Sequence, residues 1–111
     1  MNFSIQNNEL FTGNGERVQF LFPVAEFIEF EDVTIVRLNV PIDKILNENV
    51  FGVSKNGVVL WQISKRKYIY ENSPYMNLSK SNKHVKAHNW DCIDLVLDPN
   101  TGDVIEKLQS K

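Results

Sequence analysis

The stretch Val50-Phe51-Gly52-Val53-Ser54-Lys55-Asn56-Gly57-Val58-Val59-Leu60-Trp61-Gln62-Ile63 constrains the fold more than any other part of the chain. Runs rich in β-branched and aromatic residues flank an Asn-Gly pair. Asn-Gly suits a type I′ turn, whose two central residues both need positive φ, so the stretch predicts a β-hairpin. A second hairpin is expected from Ile93 to Leu108. There Asp98 opens the turn, Pro99 presets φ at its second position and Gly102 supplies the left-handed residue.

The same chemistry recurs elsewhere. Val18-Gln19-Phe20-Leu21-Phe22 reads as a strand stopped by Pro23, and Phe27-Ile28-Glu29-Phe30 as another. Val33 to Val40 is the clearest strand, although its apolar alternation changes phase between Ile35 and Val36. Lys67 to Tyr70 reads as a short strand and His84 to Trp90 as a further one. Only Ile42, Ile45 and Leu46 fall at helical spacing, which predicts one or two helical turns at most, or a loop that carries those residues inward.

The expectation is a mainly β protein, an antiparallel β-meander that forms a curved sheet, a small sandwich or an open barrel, with at most one short helix. Its 111 residues suit a single domain spanning 1–111. Gly57 and Gly102 lie 45 residues apart, near a propeller-blade period. Two copies do not close a propeller, and a third near Gly13-Asn14-Gly15 is faint, so shared hairpin chemistry is the simpler account.

Composition excludes some classes of function. One cysteine, Cys92, makes no internal disulfide and fits a reducing compartment. The N-terminus has no signal-peptide pattern, and no apolar run approaches the ~20 residues that span a bilayer. A cytoplasmic protein with no membrane contact is expected. Net charge is −2, but it is unevenly spread. Residues 1–54 balance to −5, residues 55–90 to +6 and the remainder to −3.

The segments Glu48-Asn49-Val50-Phe51, Leu60-Trp61-Gln62-Ile63, Asn89-Trp90-Asp91 and Leu97-Asp98-Pro99-Asn100-Thr101-Gly102 resemble those of a set of small bacterial proteins. These carry an N-V-F…W-Q-I hairpin, then an N-W-D/N-G segment and a C-terminal D-P-x-T-G hairpin. Cys92 stands where that pattern has glycine. Some such proteins are similar to members of toxin-neighbourhood gene sets, which implies a role like that of an immunity protein and assigns no functional residues.

No catalytic or cofactor motif is present. On a strand His84 and His88 stand about 13 Å apart, too far to share a metal ion. Cys92 with either histidine lacks a nucleophile signature. Glu26, Glu29, Glu31 and Asp32 read as a solvated, charged edge. Gly13-Asn14-Gly15 is too short for a phosphate loop. No catalysis, metal or cofactor is therefore expected. The basic and aromatic residues Lys65, Arg66, Lys67, Tyr68 and Tyr70, with Trp61 and Trp90, are the candidate binding residues.

Basic and aromatic residues interleaved on a sheet suit an acidic protein surface or a single-stranded nucleic acid, and the sequence pI of 5.6 argues against the latter. The leading expectation is a non-enzymatic protein-interaction domain, with an immunity-type inhibitor as one form of it. Alternatives are nucleic-acid binding through residues 65–70 and a small-ligand or carbohydrate module using Trp61 and Trp90. Homodimerisation through edge strands is compatible with each.

Overall fold

The computed structural model describes residues 3–109. They form β1 (Ser4–Gln6), β2 (Glu9–Phe11), β3 (Arg17–Gln19), β4 (Val24–Glu29), β5 (Val33–Leu38), β6 (Val50–Ser54), β7 (Val59–Gln62), β8 (Tyr75–Ser81), β9 (His84–Asn89), β10 (Ile93–Leu97) and β11 (Val104–Gln109). The strands make three antiparallel meanders in succession, β1-β2-β3, β4-β5-β6-β7 and β8-β9-β10-β11. None closes into a barrel. Among the described residues there is no helix, and so none long and apolar enough to cross a membrane.

The second sheet lies between the other two. Leu10, Val18 and Phe20 meet Val24, Val36, Leu38 and Val53 in one core, between the first and second sheets. Val33, Ile35, Val50 and Ile63 meet Leu78, Val85, Ala87, Leu95 and Leu97 in the other, between the second and third. This explains the phase change in β5. Its pairing with β6 is regular from Val33 to Arg37, so there is no slip. Val33 and Ile35 face one core while Val36 and Leu38 face the other, and a strand buried on both faces loses its polar alternation.

The glycine spacing is a repeat of structure. Gly15, Gly57 and Gly102 all have positive φ, and each closes the hairpin between the last two strands of its own sheet. A Cβ on Gly57 would meet Val18 of β3, and one on Gly102 would meet Trp61 of β7. The Gly57 and Gly102 hairpins thus each rest on the last strand of the sheet before.

Three local expectations are corrected. The Asn56-Gly57 turn is not type I′. The Gly57 N–H donates to the Ser54 carbonyl at 3.1 Å, and of these two central residues only Gly57 has positive φ. Ser54 closes the connection instead: its N–H donates to the Val58 carbonyl at 2.8 Å and its Oγ accepts the Asn56 and Val58 N–H groups, which makes a tight turn followed by a left-handed glycine. Residues 42–49 form no helix. Ile42 and Ile45 are exposed and only Leu46 packs inward, because Asn47 and Asn49 spend their side chains on the backbone of other segments. Lys67 to Tyr70 is a crossing between sheets rather than a strand.

Candidate functional site

At one end of the molecule three connections converge: residues 39–49 between β5 and β6, residues 63–74 between β7 and β8, and the β9–β10 turn at residues 90–92. Asparagine side chains hold them together as substitutes for backbone. Asn49 is buried; its Nδ2 donates to the Leu38 carbonyl at 2.8 Å and the Tyr75 carbonyl at 3.0 Å, and its Oδ1 accepts the Tyr75 N–H at 2.8 Å. Asn47 accepts the Ser73 N–H at 2.7 Å, and Asn89 donates to the Ser73 carbonyl at 2.7 Å. The second and third sheets are stitched through these three residues.

The basic block divides. Arg66 points inward and forms a fork with Asp91, with Nη1 to Oδ2 at 2.9 Å and Nη2 to Oδ1 at 2.8 Å. Its guanidinium lies 4.6 Å from the Tyr68 ring centroid, and its Nε donates to the Tyr75 hydroxyl at 3.3 Å. Tyr68 donates to Glu48 Oε2 at 2.7 Å. Burial pushes the Asp91 carboxyl up, but the bonds from Arg66 and the N–H groups of Ile69 and Ile93 outweigh it and hold it below the usual carboxylate range. Burial, followed by the bond to Glu48, pushes the Tyr68 phenol well above its ordinary value. Arg66 and Tyr68 are therefore consumed inside the fold. Lys65, Lys67, Ile69 and Tyr70 remain exposed on the same crossing.

The two tryptophans part in the same way. Trp61 is half-buried; it packs on Gly52 and Gly102 and donates from Nε1 to the Pro99 carbonyl at 2.9 Å. Trp90 is 56% exposed. It borders two adjoining depressions that share Trp90 and Met76. One is a half-enclosed cavity of about 440 Å³ bordered by Arg37, Leu38, Asn39, Ile42 and Pro74; the other is an open hollow of about 720 Å³ bordered by Tyr70, Asn77, His88 and Cys92. Around them Ile42, Tyr70 and Met76 are exposed apolar or aromatic side chains.

Sequence reasoning chose Trp90 and Tyr70 but missed Met76, Ile42 and Arg37. An exposed Ile42 directly after Pro41 was the available signal for one of them. Cys92, which stands in place of the expected glycine, has φ 69 and still closes its turn by donating to the Asn89 carbonyl at 3.0 Å. Glu26 is no solvated edge charge. It pairs with Arg37 Nε at 2.6 Å and accepts the Leu78 N–H at 3.2 Å, linking β4, β5 and β8. His84 and His88 lie on β9, and His88 Nδ1 sits 2.5 Å from Asp94 Oδ1. Among the described residues no group of three His, Cys, Asp or Glu side chains is placed to hold a metal ion.

A family model covers residues 1–108. The chain belongs to the family described as a domain of unknown function, DUF7957. No curated protein matches the chain. Among solved structures, the crystal structure of the computationally designed Ika8 protein is similar in fold, with a TM-score of 0.64 at 12% identity. The match takes in 98% of this chain and 36% of that one, so this DUF7957 member spans about a third of the designed protein's length.

Proposed function

We propose that this chain is a non-enzymatic interaction domain that binds an acidic surface of another protein through the face around Trp90. One observation carries the reading: Trp90, Tyr70, Met76 and Ile42 are all exposed around two joined depressions. Exposed apolar surface gathered in one place marks a contact site, whereas scattered apolar residues do not. An aromatic anchor beside a hollow is the usual centre of such a contact. Lys65 and Lys67 are exposed on the crossing that also bears Ile69 and Tyr70, which favours an acidic partner.

An immunity-type inhibitor is one concrete form of this reading, supported by the motif resemblance. Nucleic-acid binding has less in its favour, because Arg66 is committed to Asp91 and Tyr68 to Glu48.

The test is affinity capture from nuclease-treated lysate of the organism that makes the protein, comparing wild type with Trp90→Ala. A stoichiometric protein held by wild type, released as salt rises and lost with Trp90→Ala is expected. Equal capture by both forms, or recovery of nucleic acid alone when nuclease is omitted, would overturn the reading.

A further inference from the structure

The cavity of about 440 Å³ beside Trp90 has apolar walls, including Leu38, Pro74 and Met76, and one cation, Arg37, at its border. Arg37 comes from the end of β5, and its side chain is only 15% exposed. A guanidinium has five N–H groups in a fixed fork. Here Nε is taken by Glu26 at 2.6 Å, and Nη1 makes one long 3.5 Å contact with the Tyr75 carbonyl. Nη2 has no partner among the described residues, nor has the second N–H of Nη1. A half-buried arginine that still has donors to offer beside an apolar hollow is suited to a carboxylate carried on an apolar body.

We propose that this cavity receives the C-terminal residue of a partner chain, with its carboxylate on the Nη groups of Arg37 and its apolar side chain against Leu38, Pro74 and Met76. The proposal deepens the partner-binding reading of the Trp90 face and rests on it. A C-terminal apolar residue carries both features on one Cα, so both enter a cavity of this size together. An internal Asp or Glu in an extended segment would point its neighbour's side chain to the opposite face and leave the walls unfilled. Glu26 holds Arg37 from the Nε side, which fixes the guanidinium and leaves its Nη edge for the ligand.

The probes are N-acetyl-phenylalanine, which mimics a chain end, and its neutral amide, titrated into the full chain. Amide chemical shifts around residues 37–42 and 74–76 and tryptophan fluorescence give the readout. The acid is expected to bind about tenfold more tightly than the amide, as a charge-assisted hydrogen bond provides. Arg37→Gln should abolish the difference. Because that change also strands Glu26, Asn39→Asp serves as a second variant: it keeps the Arg37–Glu26 pair and every apolar wall and sets a like charge at the cavity's border. It should weaken the acid by a similar factor and leave the amide unchanged.

Equal binding of acid and amide, absence of binding by either, or shifts confined to the hollow around Tyr70 and His88 would overturn the proposal. No partner protein enters this titration. If the probes fail while Trp90-dependent capture persists, only the cavity assignment falls.

Discussion

At the scale of single residues, buried polar groups decide what each side chain is free to do. Arg66 and Asp91 form an inward pair, and Asp91 is held below the usual carboxylate range. A carboxyl whose folded pKa lies below its unfolded value of about 3.9 contributes stability that is fully present above that value. The contribution is lost as pH falls through the folded pKa. Asp91→Asn should therefore lose about 3 kcal/mol at neutral pH, with Arg66 left unpaired. It should also flatten the fall in stability below about pH 4, and denaturant midpoints measured from pH 7 to pH 2 check both effects.

Thr34 offers the opposite case. It is fully buried in β5, and its Oγ1 has no hydrogen-bond partner among the described residues. Thr34→Val removes that unsatisfied group at nearly constant shape and should stabilise the protein by about 1 kcal/mol in urea unfolding.

At the scale of elements, the three hairpins share a left-handed glycine but differ in what lies beneath it. A Cβ on Gly102 would come within 2.6 Å of the Trp61 ring, whereas one on Gly15 meets nothing within 4 Å. Gly15→Ala should cost only the backbone penalty of about 1–2 kcal/mol. Gly102→Ala carries that penalty and also displaces Trp61 from the Pro99 carbonyl, so it should cost about 3 kcal/mol or more. Thermal unfolding of the two variants side by side checks the order, at roughly 4 °C per kcal/mol for a chain of this length. Asn49 acts at this scale too, since one amide group ties the end of β5 to the start of β8.

At the scale of the whole molecule, two tryptophans that look equivalent in sequence sit in different surroundings. Trp61→Ala should cost about 3 kcal/mol, because it empties the space over Gly52 and Gly102 and breaks a hydrogen bond. Trp90→Ala, on an exposed turn, should stay within about 0.5 kcal/mol of wild type while partner capture is lost. Chemical denaturation and capture on the same two variants separate folding from binding. The end faces of the stack differ from its interior: β3 and β2 present the Arg17–Glu9 pair, and β9 and β10 present His88 with Asp94. Polar pairs there lie on the outer sheets, while most of the buried apolar side chains are gathered in the two cores.

The sequence by itself determined that the chain is built from β-strands and where its two clearest hairpins turn. These follow from local chemistry: β-branched alternation, Asp-Pro and Asn-Gly turns, and glycine where φ must be positive. The detail of the Asn56-Gly57 turn escaped because the Ser54 hydroxyl takes up the Asn56 and Val58 N–H groups, an option that the Asn-Gly pair alone does not reveal. The tertiary structure alone decided that β5 is buried on both faces, that Arg66 and Tyr68 are spent on Asp91 and Glu48, and that Arg37 meets Met76 and Trp90 around one cavity. Each of these depends on partners from about 20 to more than 60 positions away in the chain. Local periodicity carries no information about which distant charge, carbonyl or ring a side chain will meet once the sheets are stacked.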